Sequence, residues 1–194
     1  MRIQFLLLII SLQSCKAQEK PNDIPLKDEV KNYTFETVAS EIDIPWGMAW
    51  LPDGSMLVTE KSGTLYHIKD QKKTVISNVP KVATRNQGGL LDVAVHPQYT
   101  SNGWIYITYS AEEGEEKGAN TKLIRAKIEN ESLTQIQELY KAKPNTTTSH
   151  HFGSRIVFDN EGYLYFTVGD HVRTAMKLQI PSISHRSSQF TEIY

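Results

Sequence analysis

Two histidines, His150 and His151, stand side by side just before an apolar run that opens near Phe152. An imidazole can take a proton near neutral pH. Arg155 follows on the same run and can pin an anionic group. A second polar cluster, Arg85, Asn86 and Gln87, precedes the glycine pair Gly88–Gly89 and another apolar run. Glutamine can hydrogen-bond a polar substrate without competing for its proton. The glycines permit close approach of a ligand or of neighbouring backbone. Together these residue types could take a proton from, and orient, a polar substrate. They do not suit a zinc site: successive side chains of an extended chain point to opposite faces, and no second His/Cys/Asp cluster has zinc spacing. The chain contains no Gly-x-Ser-x-Gly elbow, phosphate loop or nicotinamide fingerprint. On the residues alone, the simpler reading of His151 is a loop histidine bonded to backbone.

The elements that must position these residues are short strands. From Tyr33 onward, apolar runs alternate with turn signals, and no long stretch has a helical period. "GMAWLPDGSMLVTEKSGTLYHIKD" reads as three strands separated by Asp-Gly and Ser-Gly turns, with "KTVISNV" as a fourth. "GGLLDVAVHPQYTSNGWIYITYS" repeats the grammar with a Pro-containing turn, followed by "TKLIRAKIE" and "LTQIQELYKA". "FGSRIVFDNEGYLYFTVGD" begins a third copy. The turn glycines Gly54, Gly103 and Gly162 lie 49 and 59 residues apart. A repeat of about 50 residues built from short strands points to the blades of a β-propeller rather than to a β-sandwich. Residues just before the innermost strand of each blade face a shared channel mouth, which is where Gln87 and His151 fall. The charged segment Ser110–Asn120 reads as a solvated hairpin tip.

The flanks read differently. Residues 1–14 carry Arg2 and a short apolar run and end at Leu12-Gln13-Ser14-Cys15, the pattern of a lipoprotein signal peptide. Cys15 is the sole cysteine, which fits lipidation better than a disulfide. Residues 15–32 are polar and proline-containing and read as a flexible tether. The expected location is extracytoplasmic, on a membrane through a lipid on Cys15, in the periplasm or at the outer membrane. A formal net charge of −1 and the lack of a basic stripe exclude a nucleic-acid partner. The expected domains are therefore a signal at 1–14, a tether at 15–32, a partial propeller at 33–170, and an anomalous tail at 171–194. That tail contains neither glycine nor aspartate and lacks the strand–turn repeat.

The blocks "PWGMAWLPDGSMLVTEKSGTLYHI", "NQGGLLDVAVHPQY" with "NGWIYITYS", and "HFGSRIVFDNEGYLYFTVGD" resemble the soluble quinoprotein sugar dehydrogenases, that is, the glucose/sorbosone and aldose sugar dehydrogenase family. The resemblance runs from about Thr37 to Asp170. It implies an all-β, six-bladed propeller with pyrroloquinoline quinone (PQQ) and calcium at the channel mouth. The implied reaction is oxidation of the anomeric C1–OH of an aldose to a lactone, with electrons passing on to an acceptor. It places the proton-taking histidine at His151 and the active-site glutamine at Gln87, with Arg155 in the same pocket. His150, where the glucose-oxidising branch commonly has aspartate, is implied to be a neighbour without a chemical role. At about 40–50 residues per blade, 33–170 holds about three blades. The family's calcium ligands and most of its quinone-binding cations come from later blades, so no metal ligand is expected in this chain. The alternative is a non-catalytic extracytoplasmic propeller that binds carbohydrate or protein. A calcium-dependent lactonase would need carboxylate and Asn ligands where Gln87 and His151 stand.

Two outcomes follow. The purified 194-residue chain alone should show no PQQ-dependent turnover and should tend to aggregate; clear turnover would refute this. If the tail after Asp170 arises from a frameshift near codon 171, another reading frame of the gene continues with family-like strands, and finding none in either frame counts against it.

Overall fold

A structural reason for the repeat emerges from how its sheets pair. The computed structural model describes residues 34–171 and the strand at 190–192. The signal-type segment, Cys15, the tether and the rest of the tail lie outside the described residues. β1 (Pro45–Trp50), β2 (Met56–Glu60), β3 (Thr64–Lys69) and β4 (Lys72–Ile76) form one antiparallel sheet in chain order. β5 (Leu90–Val95), β6 (Ile105–Ala111), β7 (Asn120–Glu129) and β8 (Ser132–Lys141) form a second of the same plan. β9 (Gly153–Phe158) and β10 (Leu164–Val168) pair antiparallel and begin a third. All the strands expected between Tyr33 and Asp170 are present. The Pro-containing turn before Gly103 is a one-turn helix, α1 (Tyr99–Asn102), closed by Gly103 in the left-handed conformation. Gly54, Gly103 and Gly162 occupy the same loop of their sheets, between first and second strand, at φ 82°, 68° and 88°.

The tail holds one element that its sequence does not announce. β11 (Phe190–Glu192) lies against β10, but parallel to it. It satisfies a free strand edge, yet it does not continue the antiparallel meander of the first two sheets.

Each sheet buries its faces against its neighbours. Leu57, Leu65 and Ile76 of the first sheet interlock with Leu90, Val93, Ile105, Ile107, Ile124 and Leu133 of the second. Tyr106 and Leu123 of the second meet Ile156, Leu164 and Phe166 of the third. Edge-to-face contacts of Phe158 with Tyr106 at 5.1 Å and of Phe166 with Tyr140 at 5.3 Å join this seam. On the first sheet, Ala39 and Ile42 pack over Met56, Val58 and Ile68, and the Lys73 ammonium holds the Ser40 and Glu41 carbonyls. The segment Ser110–Asn120 is more than a solvated tip. The Asn145 side-chain amide donates to the carbonyls of Glu112, Glu113 and Glu116. Partial burial opposes the charge of Lys122, but the Glu138 and Glu113 carboxylates outweigh it and push the ammonium up to about 12.

A recurrent polar joint crosses the apolar seams. Each innermost strand carries a bulge opposite a threonine of the second strand: Trp46–Gly47 opposite Thr59, Leu91–Asp92 opposite Thr108, and Ser154–Arg155 opposite Thr167. Gly47 N–H donates to Thr59 Oγ1 at 2.9 Å, and Thr59 Oγ1 donates to the Leu91 carbonyl in the next sheet at 2.5 Å. Asp92 N–H donates to Thr108 Oγ1 at 3.0 Å, which donates to the Ser154 carbonyl at 2.9 Å. Thr59 and Thr108 are both fully buried. A bulge frees one carbonyl from the ladder, and at these two bulges the threonine hydroxyl of the preceding sheet takes it.

Asp92 reinforces the second joint. It is 2% exposed and accepts from the Arg155 guanidinium at 2.9 Å and from Ile156 N–H at 2.8 Å. Burial pushes its carboxyl up, while Ile156 N–H and Arg155 pull it back. Asp92→Ala leaves a buried N–H without an acceptor and should lower unfolding stability by about 2 kcal/mol. Asp92→Asn keeps an acceptor for Ile156 and should cost less. Urea denaturation checks both; a loss under about 0.5 kcal/mol for the alanine variant would show that this latch carries no stability.

Candidate functional site

Gln87, His151 and Asp170 come together from three separate segments. Gln87 lies in the loop before β5, His151 in the loop before β9, and Asp170 just after β10. Gln87 Oε1 accepts His151 N–H at 2.8 Å, and Gln87 N–H donates to the Ser149 carbonyl at 3.1 Å. One glutamine thus pins the histidine loop through both backbone and side chain. His151 sits at φ 52°, a conformation uncommon for a residue with a Cβ and one that needs such support.

The imidazole is oriented from the other side. His151 Nδ1 lies 3.0 Å from Asp170 Oδ1. A carboxylate only accepts, so Nδ1 carries a proton, and in the neutral ring Nε2 is the nitrogen with the lone pair. The His151 side chain is 54% exposed, which leaves it open to a ligand. Asp170 is brought there by Gly169, whose backbone passes so close to His151 that a Cβ would fall 1.6 Å from the His151 carbonyl oxygen. Gly169 N–H donates to the Phe152 carbonyl at 3.0 Å, which fixes the turn. Asp170 was missed as a site residue in the sequence reading; its signal is the Gly-Asp pair ending a strand, which resembles an ordinary turn.

The other candidates are placed as follows. Arg155 emerges from the bulge of β9, and its guanidinium bonds Asp92, 63 residues away in sequence. In this geometry it ties β9 to β5. Arg85 lies exposed in the same loop as Gln87, and its carbonyl accepts Gly88 N–H. The Gly88–Gly89 pair serves a neighbour: a Cβ on Gly89 would fall 2.1 Å from the Lys61 carbonyl oxygen. His150 is half-buried beside the dyad. His171 is buried behind it, with Nε2 2.8 Å from Asn120 Oδ1 and its ring edge-on to Phe152 at 5.0 Å.

Among the described residues no group of three or more His, Cys, Asp or Glu could hold a metal ion. Nor, among them, is any helix long and apolar enough to cross a membrane. A cleft of about 330 Å³ lined by Leu51, Asp53, His67 and Tyr99 belongs to the loops between first and second strands, away from His151. His67 there is tied to Ser55: its Nε2 lies 2.8 Å from Ser55 Oγ, which donates to Asp53.

The sequence profile of the Glucose / Sorbosone dehydrogenase family matches residues 42–185. The chain belongs to that family. The match runs past Asp170, where the repeat signals stop. The aldose sugar dehydrogenase of Escherichia coli is 34% identical over 141 residues, covering 70% of this chain and 38% of that protein. Quinoprotein glucose dehydrogenase B of Acinetobacter calcoaceticus is 26% identical over 171 residues, covering 79% and 35%. The crystal structure of the soluble E. coli aldose sugar dehydrogenase in its apo-form superposes with a TM-score of 0.67 at 33% identity, over 71% of this chain and 41% of that one. The PQQ-bound aldose sugar dehydrogenase of Streptomyces coelicolor gives 0.61 at 28% identity, over 73% and 42%. This chain therefore spans about two-fifths of the length of these relatives.

Burial holds the His171 imidazole below its ordinary value of 6.5, opposed by the His150 backbone and Asp170 and helped by His151 and Lys141. Burial likewise lowers His96, with Arg125 adding to it. A histidine lower in the folded than in the unfolded state binds fewer protons when folded. Stability should therefore fall as pH drops below about 6.5, until both states are protonated. Thermal melts between pH 7.5 and 5 should show this slope, and His171→Gln should flatten it; an unchanged slope in that variant would assign the effect elsewhere.

Proposed function

We propose that the Gln87–His151–Asp170 cluster is the proton-accepting part of a PQQ-dependent aldose dehydrogenase. The observation that carries the reading is the His151–Asp170 pair: Nδ1 lies 3.0 Å from the carboxylate, which leaves Nε2 of a half-exposed ring for a ligand. An aldose placed with its anomeric hydroxyl at Nε2 gives up that proton to His151. Asp170 then faces an imidazolium and stabilises it. Gln87 keeps the loop in place through its Oε1 and has its amide nitrogen left to offer a sugar oxygen or a quinone edge.

The residues present fit one side of a PQQ site. The Gln87 amide and the His151 ring supply neutral polar contacts, and exposed Arg85 supplies a cation. PQQ, when bound, supplies the acceptor for the C1 hydride, so that loss of proton and hydride from the aldose gives the lactone. Among the described residues no cluster of carboxylates offers itself to calcium. A lipid on Cys15 that holds the chain on an extracytoplasmic membrane belongs to the same reading, as does an external electron acceptor.

Because the chain spans about two-fifths of its relatives, the test is a chimera. Residues 42–170 replace the matching segment of the E. coli aldose sugar dehydrogenase, and the product is assayed with PQQ, calcium and aldoses by dye reduction. Turnover should appear, fall by about 10²-fold or more with His151→Ala, and fall less with Asp170→Asn. Near-normal turnover of the His151 variant would end the reading. Aldose binding without any dye reduction by a well-folded chimera would favour a non-catalytic sugar-binding propeller.

A further inference from the structure

The three segments of the site hang on one rung of the second sheet. Ser110, near the end of β6, and Thr121, near the start of β7, are directly opposed in the ladder. Opposed side chains of an antiparallel pair stand on the same face, about 5 Å apart. Both residues are fully buried. Their face is the one that meets the third sheet: Tyr106, four residues before Ser110, and Leu123, two residues after Thr121, share it and pack there.

Ser110 closes the Gln87 loop. Its carbonyl accepts Ala83 N–H at 2.9 Å, and its N–H donates to the Gly89 carbonyl at 3.0 Å. Its hydroxyl donates to the Ala83 carbonyl at 2.6 Å and accepts Gly89 N–H at 2.7 Å. One serine thus joins both ends of the segment 83–89, in which Gln87 sits. The closure leaves no room for a side chain at Gly88: a Cβ there would fall 2.8 Å from Ser110 Oγ and 2.4 Å from the Ala83 carbonyl oxygen. Thr121 holds the histidine loop in the same way. Its hydroxyl donates to the Phe152 carbonyl, next to His151, at 2.6 Å. That carbonyl also accepts the N–H of Gly169, the residue before Asp170, at 3.0 Å. Ala83 and Phe152 pack in one small cluster with Leu91 and Ala119.

We propose that Ser110 and Thr121 are a positioning pair for the Gln87–His151–Asp170 cluster, their rung setting the distance between the loop of Gln87 and the loops of His151 and Asp170. Gln87 and His151 are 64 residues apart in sequence and meet at 2.8 Å. A ladder rung is a stiff reference for such a meeting, because backbone hydrogen bonds on either side fix its spacing. Both hydroxyls are spent on loop backbone. The pair therefore acts through Gln87 and His151 and not on a substrate. Its consequence for turnover rests on the proton transfer proposed above; its consequence for loop geometry does not.

Hydrogen exchange of the 194-residue chain at low micromolar concentration tests the geometry. The His151 amide is the reporter, because the Gln87 side chain holds it. Ser110→Ala should speed exchange at Gly89 and at His151 by about 10-fold, the worth of one hydrogen bond. Thr121→Val keeps the side-chain shape and should speed His151 and Gly169 by a similar factor, and Thr121→Ser should restore both. The seam amides of Asp92 and Ile156 should keep their rates throughout. Ile76→Val, a core change in the first sheet, should leave His151 unaffected. In the chimera with the E. coli enzyme, Ser110→Ala should lower kcat about 10-fold, but less than about 3-fold in a Gln87→Ala background, since the effect passes through that side chain. An unchanged His151 rate in both hydroxyl variants, an equal change with Ile76→Val, or turnover indifferent to Ser110→Ala would each overturn the proposal. A chimera with no turnover at all would count against the catalytic reading alone, and the exchange rates would still decide the positioning.

Discussion

A four-stranded sheet of this kind has two faces and no means of burying both. That constraint shapes everything else in the molecule. The apolar residues on one face of each sheet need the next sheet as solvent, and the polar backbone between them needs partners once water is gone. The threonine–bulge joint answers the second need. Buried Thr59 and Thr108 each accept one backbone N–H and donate to one backbone carbonyl, so each bulge carbonyl they meet is paired across the seam. Packing alone would tolerate some sliding of one sheet past another. A directed hydrogen bond to a single bulge carbonyl does not.

Register matters because the site is assembled across a seam. Gln87 belongs to the loop feeding the second sheet, and His151 and Asp170 belong to the third. The bulge that receives Thr108 is Ser154–Arg155, three residues after His151. The same short stretch carries the Arg155–Asp92 latch. A shift of the third sheet by even one ångström would pull His151 N–H away from Gln87 and disturb the tautomer that Asp170 selects. Arg155 therefore acts on the cluster through position: it holds the strand that begins beside His151.

Much of this was legible in the sequence where local chemistry decides the outcome. Asp53-Gly54, Asn102-Gly103 and Glu161-Gly162 declare their turns because only a residue tolerant of positive φ closes them cheaply. Alternating apolar runs then fix the strands. Gln87 and His151 were legible as a pair through their equivalent places before inner strands. What was not legible depends on partners far away in sequence. Nothing near Arg155 reveals that its guanidinium will find Asp92. Nothing in Gly169-Asp170 distinguishes a turn from a carboxylate aimed at an imidazole, because the aim is set by the backbone of His151 itself. α1 and β11 are too short to leave a periodic trace.

The threonines show how a repeat can be chemical before it is visible. Thr59, Thr108 and Thr167 sit in unlike strings, VTE, ITY and FTV. Only the residue before each threonine is apolar in all three, so no motif marks them. Yet each stands opposite a bulge and accepts the bulged residue's N–H. The innermost partners differ as much as residues can: glycine at 47, aspartate at 92, arginine at 155. The joint uses only their backbones, which leaves the side chains free to diverge. At Gly47 there is no room for one, since a Cβ would fall 2.7 Å from Asp92 Oδ1. At Asp92 the side chain latches the next sheet, and at Arg155 it answers that latch. One backbone device, repeated, thus sets how neighbouring sheets meet while its side chains are released to serve the seam and the site.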